Sequence, residues 1–437
     1  MLTYTKLLSD FISFKSVSTD SLYSSDLRKV VAWLQKLFVG HGFRVETWQG
    51  KNTNPVIYAM LDANKPETVL VYGHYDVQPA DKKNGWKSDP FKLDKRNNRF
   101  WGRGVVDNKG QILVHIVSVL ELLASGKLNK NVIFLIEGNE ETGNSDLPQI
   151  VRKYKSKLKS DFIMVSDGEL VGNNPTLDAS FRGFINFSIK LKTAKNRLHS
   201  GIFGGALPNA AIELGQLIAS FYKGNKVAIA GFYEGTKKIT KEQLVNNKLV
   251  EKLSEDVTRY SGAKSLVTEP GLDFYSQTGL RPTLQVTGMH GGYTGAGFAN
   301  IVPNEASVKI NVRTAPGQEV KIIFTAIKRH AVKMIPNYVE ATISLDIMDN
   351  GVELDVDSDD ARQVKSLLEK IYKKRVLVRY VGGIVPILLD FKKILGVEPM
   401  SVSLGNDDAN VHGLDENFRI DLVERGLEFS KRFFGSI

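Results

Sequence analysis

Apolar positions in the first part of this 437-residue chain follow two periods. Leu27, Val30, Val31, Leu34, Leu37 and Phe38 recur at helical spacing, and Gly40 and Gly42 then stop the helix. DNKGQILVHIVSVLELLASG (107–126) and the closing RIDLVERGLEFSKRFF (419–434) also read as helices. Between them lie short apolar runs, NPVIYAML, ETVLVYG, NVIFLIEG, DFIMVSDG and EPMSVSLG, each bounded by glycine or polar residues. Alternating strands and helices predict an α/β fold with a mixed, largely parallel sheet and helices on both faces. In such sheets ligands gather at the carboxyl ends of the strands.

The texture changes at about residue 184. FINFSIKLK and ASVKINVRT alternate strictly, PNAAIELGQLIASFY is helical, and GMHGGYTGAGFANIVP is a glycine-rich loop. The expected organisation is a first domain over 1–183, an inserted α+β domain over 184–384, and a closing part of the first domain over 385–437. The length suits two cores better than one.

Composition narrows the class. With 42% hydrophobic and 24% charged residues the chain reads as an ordinary folded protein, and no apolar run is long enough to span a membrane. The start, MLTYTKLLSDFISF, has charges inside its apolar stretch and no cleavage pattern, so a cytoplasmic location is expected. There is no cysteine, hence no disulfide, thiolate ligand or Cys nucleophile, and any metal must sit on histidine and carboxylates. The net charge of +10 is unaccompanied by a basic patch interleaved with aromatic residues, so no nucleic-acid partner is expected; VRKYKSKLKSD (151–161) reads as a solvated helix face.

The strand ends carry the chemistry. ETVLVYG leads to His74 and Asp76, NVIFLIEG to Glu140 and Glu141, DFIMVS to Asp167, and EPMSVSLG to His412, while Asp107 opens the helical segment 107–126. A pair of hydrolytic metal ions needs such nitrogen and oxygen donors, one group to bridge, and a base beside the water. Asp76 is placed to hold the His74 imidazole, and the Glu140–Glu141 pair can divide ligand and base roles. Blander readings stand beside these: Asp107 as a helix cap, Asp167 as a turn residue, His199 in local hydrogen bonding, Arg313 facing solvent. His115 reads as a satisfied helix histidine, and the role of His290 is open.

GHYDVQPA, GWKSDPF with RFWGRGVVDNKG, EGNEETG, SDG, RLHSGIFGG, NIVPNEASVKINVR and HGLDEN occur in an order that resembles the carnosinase-like dipeptidase branch of the aminoacylase and glutamate-carboxypeptidase metallohydrolases. The resemblance implies His74, Asp107 and Asp167 around one ion, and Asp107, Glu141 and His412 around the other, with Asp107 bridging. It further implies Glu140 as general base and acid, and a cis peptide at Asp107–Asn108. His199 would reach the partner subunit's site in a homodimer, Arg313 would grip the substrate carboxylate, and Asn300 would make a polar substrate contact. Zinc is the expected metal, with manganese or cobalt as substitutes. Two features depart from the family: Ile384 in GGIVP stands where a serine is usual, and SLDIMDNGVELD lacks a histidine that dipeptidase relatives often carry. Both concern the carboxylate end of the substrate. The expected activity is therefore hydrolysis of dipeptides or small peptides, with an N-acyl-amino-acid amidohydrolase as the alternative and a silent binding protein on the same fold as the remote one.

Overall fold

The computed structural model describes residues 2–383, 385 and 387–435; Ile384 lies outside them. The large sheet runs in the order 44–48, 56–61, 131–137, 68–74, 162–165, 399–403, 176–181 and 352–353, with 377–381 also pairing 176–181. Its centre is parallel: 131–137 with 68–74, 68–74 with 162–165, and 162–165 with 399–403. Antiparallel strands flank this block, which gives the mixed, largely parallel sheet expected. All four central strands therefore end on one edge.

Alternation within a strand divides the core between the two faces. Val69 and Val71 pack with the helices Leu2–Ser13, Ser24–Val39, Lys109–Ala124 and Ile420–Phe434. Leu70 and Tyr72 pack on the other side with Ile150, Leu388 and Phe391. The helix Lys109–Ala124 is apolar all round and almost wholly buried, as a helix between sheet and outer helices should be. Among the described residues, no helix is long and apolar enough to cross a membrane.

A second sheet, ordered 283–291, 305–314, 183–192 and 340–349, is antiparallel throughout. Ile185, Phe187, Ile189 and Leu191 face the helices Ala210–Ser220 and Val320–Met334 in a separate core. The expected return to the first body at 385 is corrected by the sheet. Val352 already pairs with Phe181, and Leu377–Val381 runs beside 176–181. Between them, Ala361, Val364, Leu368 and Tyr372 bury one stripe of a helix in the main core. Their spacing fixes a helix, but nothing local in the sequence says which core receives it.

Candidate metal centre

His74 ends the strand Thr68–His74 and is fully buried. Its Nδ1 lies 3.0 Å from the Asp76 carbonyl oxygen, which favours the tautomer that leaves the Nε2 lone pair free. Nε2 stands 3.0 Å from Asp107 Oδ1 and 3.6 Å from Asp167 Oδ2, with no hydrogen-bond partner of proper geometry. Across Asp107, His412 Nε2 lies 2.9 Å from the other carboxylate oxygen and 3.1 Å from Glu141 Oε2. Two donor triplets result, His74–Asp107–Asp167 and Asp107–Glu141–His412; within each, the atoms lie within 4.8 Å of one another. The orphaned imidazole nitrogen and the all-N/O donor set fit a pair of divalent cations sharing Asp107.

The chain is shaped to bring these donors together. The Asp107–Asn108 peptide is cis, as the resemblance implied. The Asn108 amide donates to the Ser166 carbonyl (2.7 Å) and to Asp167 (2.9 Å), while its oxygen accepts from His74 N–H (3.3 Å). Two strand ends are thereby tied to one side chain. Gly73 is required for this approach: a Cβ there would lie 2.6 Å from Asn108 Oδ1. His412 has a φ of +61°, a left-handed conformation unusual outside glycine, which aims its ring at Asp107 and Glu141.

Asp76 makes more contacts than the one to His74 that the sequence suggested. Its carboxylate accepts the backbone N–H groups of Glu140 and Glu141 (3.2 Å each) and the Ser18 hydroxyl (2.6 Å), and it stands 3.3 Å from His74 Nδ1. It thus fixes the Glu140–Glu141 turn as well as flanking the imidazole. Gln78 donates to Glu141 Oε2 at 2.8 Å. Among the described residues nothing donates a hydrogen bond to the Glu140 carboxylate. Burial, with Asp167, Asp107 and Asp76 nearby, pushes its carboxyl well above the usual range despite the opposing pull of His74. His412 is raised to about 10 by its contacts with Asp107 and Glu141. Burial opposes a charge on His74, yet Asp107, Asp167 and Asp76 together raise it well above its ordinary value. So dense a set of carboxylates calls for positive charge at its centre.

Glu416, not singled out from sequence, organises the loop before Asp107. One buried carboxylate oxygen accepts Arg103 Nη1 (2.8 Å) and Gly104 N–H (2.9 Å); the other accepts the N–H groups of Val106 (2.9 Å) and Asp107 (3.1 Å). Its position in HGLDEN, four residues after His412, is the only sequence signal. A cavity of about 420 Å³, lined by Asp107, Asp167, Glu169, Tyr275, Arg379 and Tyr380 among others, opens beside the centre. It too was missed, because its walls come from five distant stretches of chain.

The remaining expected residues stand apart. His199 lies on a short strand paired with Ile301–Val302, exposed, its Nδ1 accepting from Gly201 N–H at 3.0 Å. Asn300 is exposed beside it, its carbonyl accepting from Ser200 N–H at 2.9 Å. Arg313 sits near the end of an inner strand of the second sheet, half-buried, close enough to Arg182 to depress that guanidinium's pKa further, although burial is the larger cause. Among the described residues, no hydrogen bond or ion pair joins these three to the metal centre. His115 is satisfied, with Ser430 Oγ at 3.1 Å and Ser166 Oγ at 2.9 Å from its two nitrogens. His290 lies exposed on the outer strand of the second sheet.

The sequence profile of peptidase family M20/M25/M40 matches residues 70–435. The chain belongs to this family. Among curated proteins it is similar to the probable di- and tripeptidase DUG2 of Saccharomyces cerevisiae, at 27% identity over 98% of this chain; the match spans only half of that protein's length. It is also similar to the human Beta-Ala-His dipeptidase, 26% identical over 87% of this chain and 77% of that protein. Among solved structures, the M20 family metallo-carboxypeptidase Sso-CP2 of Sulfolobus solfataricus superimposes with a TM-score of 0.84, at 27% identity, covering 99% of this chain and 98% of that one. The family is a peptidase family, and the two donor triplets lie within the matched segment.

Proposed function

We propose that this protein hydrolyses dipeptides or small peptides with a free carboxylate, using two divalent ions and Glu140 as general base and acid. The observation that carries the reading is the pair of triplets sharing Asp107, beside a Glu140 carboxylate with no hydrogen-bond donor of its own. His74, Asp107 and Asp167 would hold one ion; Asp107, Glu141 and His412 would hold the other. The ions, when bound, supply Lewis acidity toward the scissile carbonyl and the attacking water. Glu140 takes a proton from that water and later gives it to the leaving amine nitrogen. Its raised proton affinity suits an acid that must deliver as well as accept. Zinc is the proposed metal on the His-and-carboxylate donor set. The names of the relatives, which describe dipeptide, tripeptide and carboxypeptidase activities, support the substrate class.

The second body is proposed as a lid and dimerisation unit, in a cytoplasmic homodimer. Ile202, Met289, Tyr293 and Phe298 are exposed around the loops that carry His199 and Asn300, which supports a second copy of the chain against this face. His199 would then stabilise the oxyanion in the partner's site, Arg313 would pair with the substrate carboxylate, and Asn300 would contact the substrate. The test is a panel of dipeptides and N-acyl amino acids offered to purified, metal-loaded protein. Turnover of the dipeptides is expected; turnover of N-acyl amino acids alone would replace this reading with the amidohydrolase one.

A further inference from the structure

The cavity beside the metal centre holds one carboxylate that neither the metal donors nor the hydrolytic mechanism employ. Glu169 lines it two residues beyond Asp167, and the backbone there is pinned on both sides. Gly405 N–H donates to the Gly168 carbonyl at 2.9 Å, and Leu170 N–H to the Gly405 carbonyl at 2.8 Å. Gly168 lets the chain lie against the cavity wall: a Cβ there would meet Ser403 Oγ at 2.5 Å and Asp178 Oδ2 at 2.9 Å.

The cavity's cation is already spoken for. Arg379 Nε donates to Asp178 Oδ1 at 2.7 Å and Nη2 to Oδ2 at 3.3 Å, and Asp178 also accepts from Ser401 (3.2 Å) and Ser403 (3.1 Å). Among the described residues, Glu169 has no hydrogen bond or ion pair. Phe274, Tyr275 and Tyr380 supply aromatic walls around it. A partly buried carboxylate with no hydrogen bond or ion pair, which feels Arg379 only through the field of a guanidinium already paired with Asp178, is fixed by its backbone, framed by aromatic rings, and suited to a cation that arrives with the substrate. Because the same cavity includes Asp107 and Asp167, that cation belongs near the scissile carbonyl.

We infer that Glu169 binds a free amine on the residue that supplies the scissile carbonyl, so that this protein selects substrates with an unblocked, positively charged amine. The inference rests on the peptidase reading above and deepens it, since an N-acylated substrate has no such charge at its α-nitrogen. The amine could be the α-amine or one on the side chain. The chemistry is shared, and the test separates the two.

Wild-type, Glu169→Gln and Glu169→Asp proteins would be compared on alanyl-alanine, N-acetyl-alanyl-alanine and Nα-acetyl-lysyl-alanine, with bound metal and melting temperature measured for each. A charge-assisted hydrogen bond predicts about a tenfold to hundredfold rise in KM for the amine-bearing substrate in Glu169→Gln, with kcat little changed and partial recovery in Glu169→Asp. A KM effect on alanyl-alanine assigns the α-amine; one on the lysyl substrate alone assigns the side-chain amine. Competition binding of the uncleavable ketomethylene isostere of alanyl-alanine, with and without an N-acetyl cap, reads the same preference without turnover. If no peptide is hydrolysed but the wild type prefers the uncapped isostere tenfold or more and Glu169→Gln does not, the peptidase reading fails and the amine site stands. Equal affinity for the two isosteres in wild type together with no KM effect on the lysyl substrate, no change on any substrate in Glu169→Gln, or loss of a bound ion in that variant would overturn the inference.

Discussion

Replacing Glu416 by glutamine removes one charge and one acceptor from the loop that presents Asp107. The carboxylate receives four hydrogen bonds, two on each oxygen, and one comes from the buried Arg103 guanidinium. In Glu416→Gln one oxygen becomes an NH₂ group facing two donors, while Arg103 loses its counter-charge. Breaking a buried ion pair from one side costs about 3–5 kcal/mol, and each donor left unmatched about 1–3 kcal/mol, so a total near the upper end of the first range is expected after relaxation. The Asp107 N–H is among those freed, and loss of support to a metal ligand typically weakens metal binding about tenfold to a hundredfold. Urea unfolding of the metal-free protein reads the first quantity, and competition with a chromophoric chelator reads the second. A Glu416→Gln variant with lower stability and unchanged affinity at both sites would refute the claim that this carboxylate positions Asp107. Unchanged stability would refute the bonding scheme itself.

Other consequences follow from individual contacts. Burial pushes the His115 pKa down to about 3, so the folded protein holds this ring neutral while the unfolded chain protonates it near 6.5. The stability it contributes is present above about pH 6.5 and is lost as pH falls from there toward 3; between pH 7 and pH 5 wild type should lose about 2 kcal/mol more than His115→Gln, in urea titrations at the two pH values. Gly73→Ala should displace Asn108 and destabilise the protein by about 1–3 kcal/mol with weakened metal binding, because the added methyl has no space. For the proposed homodimer, His199→Ala and Glu140→Gln chains, each inactive alone, should recover roughly a quarter of wild-type activity when refolded together, by random pairing of one intact composite site. No recovery would place His199 outside the partner's site.

Periodicity and strand order made the core of the centre readable in advance. Four apolar runs ended in His, Glu-Glu, Asp and His, and the sheet sets those runs side by side and parallel. What escaped was whatever depends on pairing between distant segments. Glu416 and Asp107 are 309 residues apart along the chain, and no local pattern marks a carboxylate that will accept backbone N–H groups. Asp76 was expected to serve His74, but its carboxylate also takes up two N–H groups of the Glu140 turn, a loop geometry that side-chain spacing does not encode. The stretch from Val352 to Val381 has strand and helix patterns of its own, yet its membership of the large sheet rests on edge pairing with 176–181. Glu169 stood next to a recognised ligand and was passed over, because its significance lies in Arg379 already having a partner.

The most direct test of the central claim is the single-turnover rate of dipeptide cleavage by Glu140→Gln protein carrying a verified complement of metal. The account predicts two ions per chain, as in wild type, with cleavage slowed about a hundredfold to ten-thousandfold, the usual worth of a positioned acid–base group. Cleavage at the wild-type rate with both ions in place would contradict it.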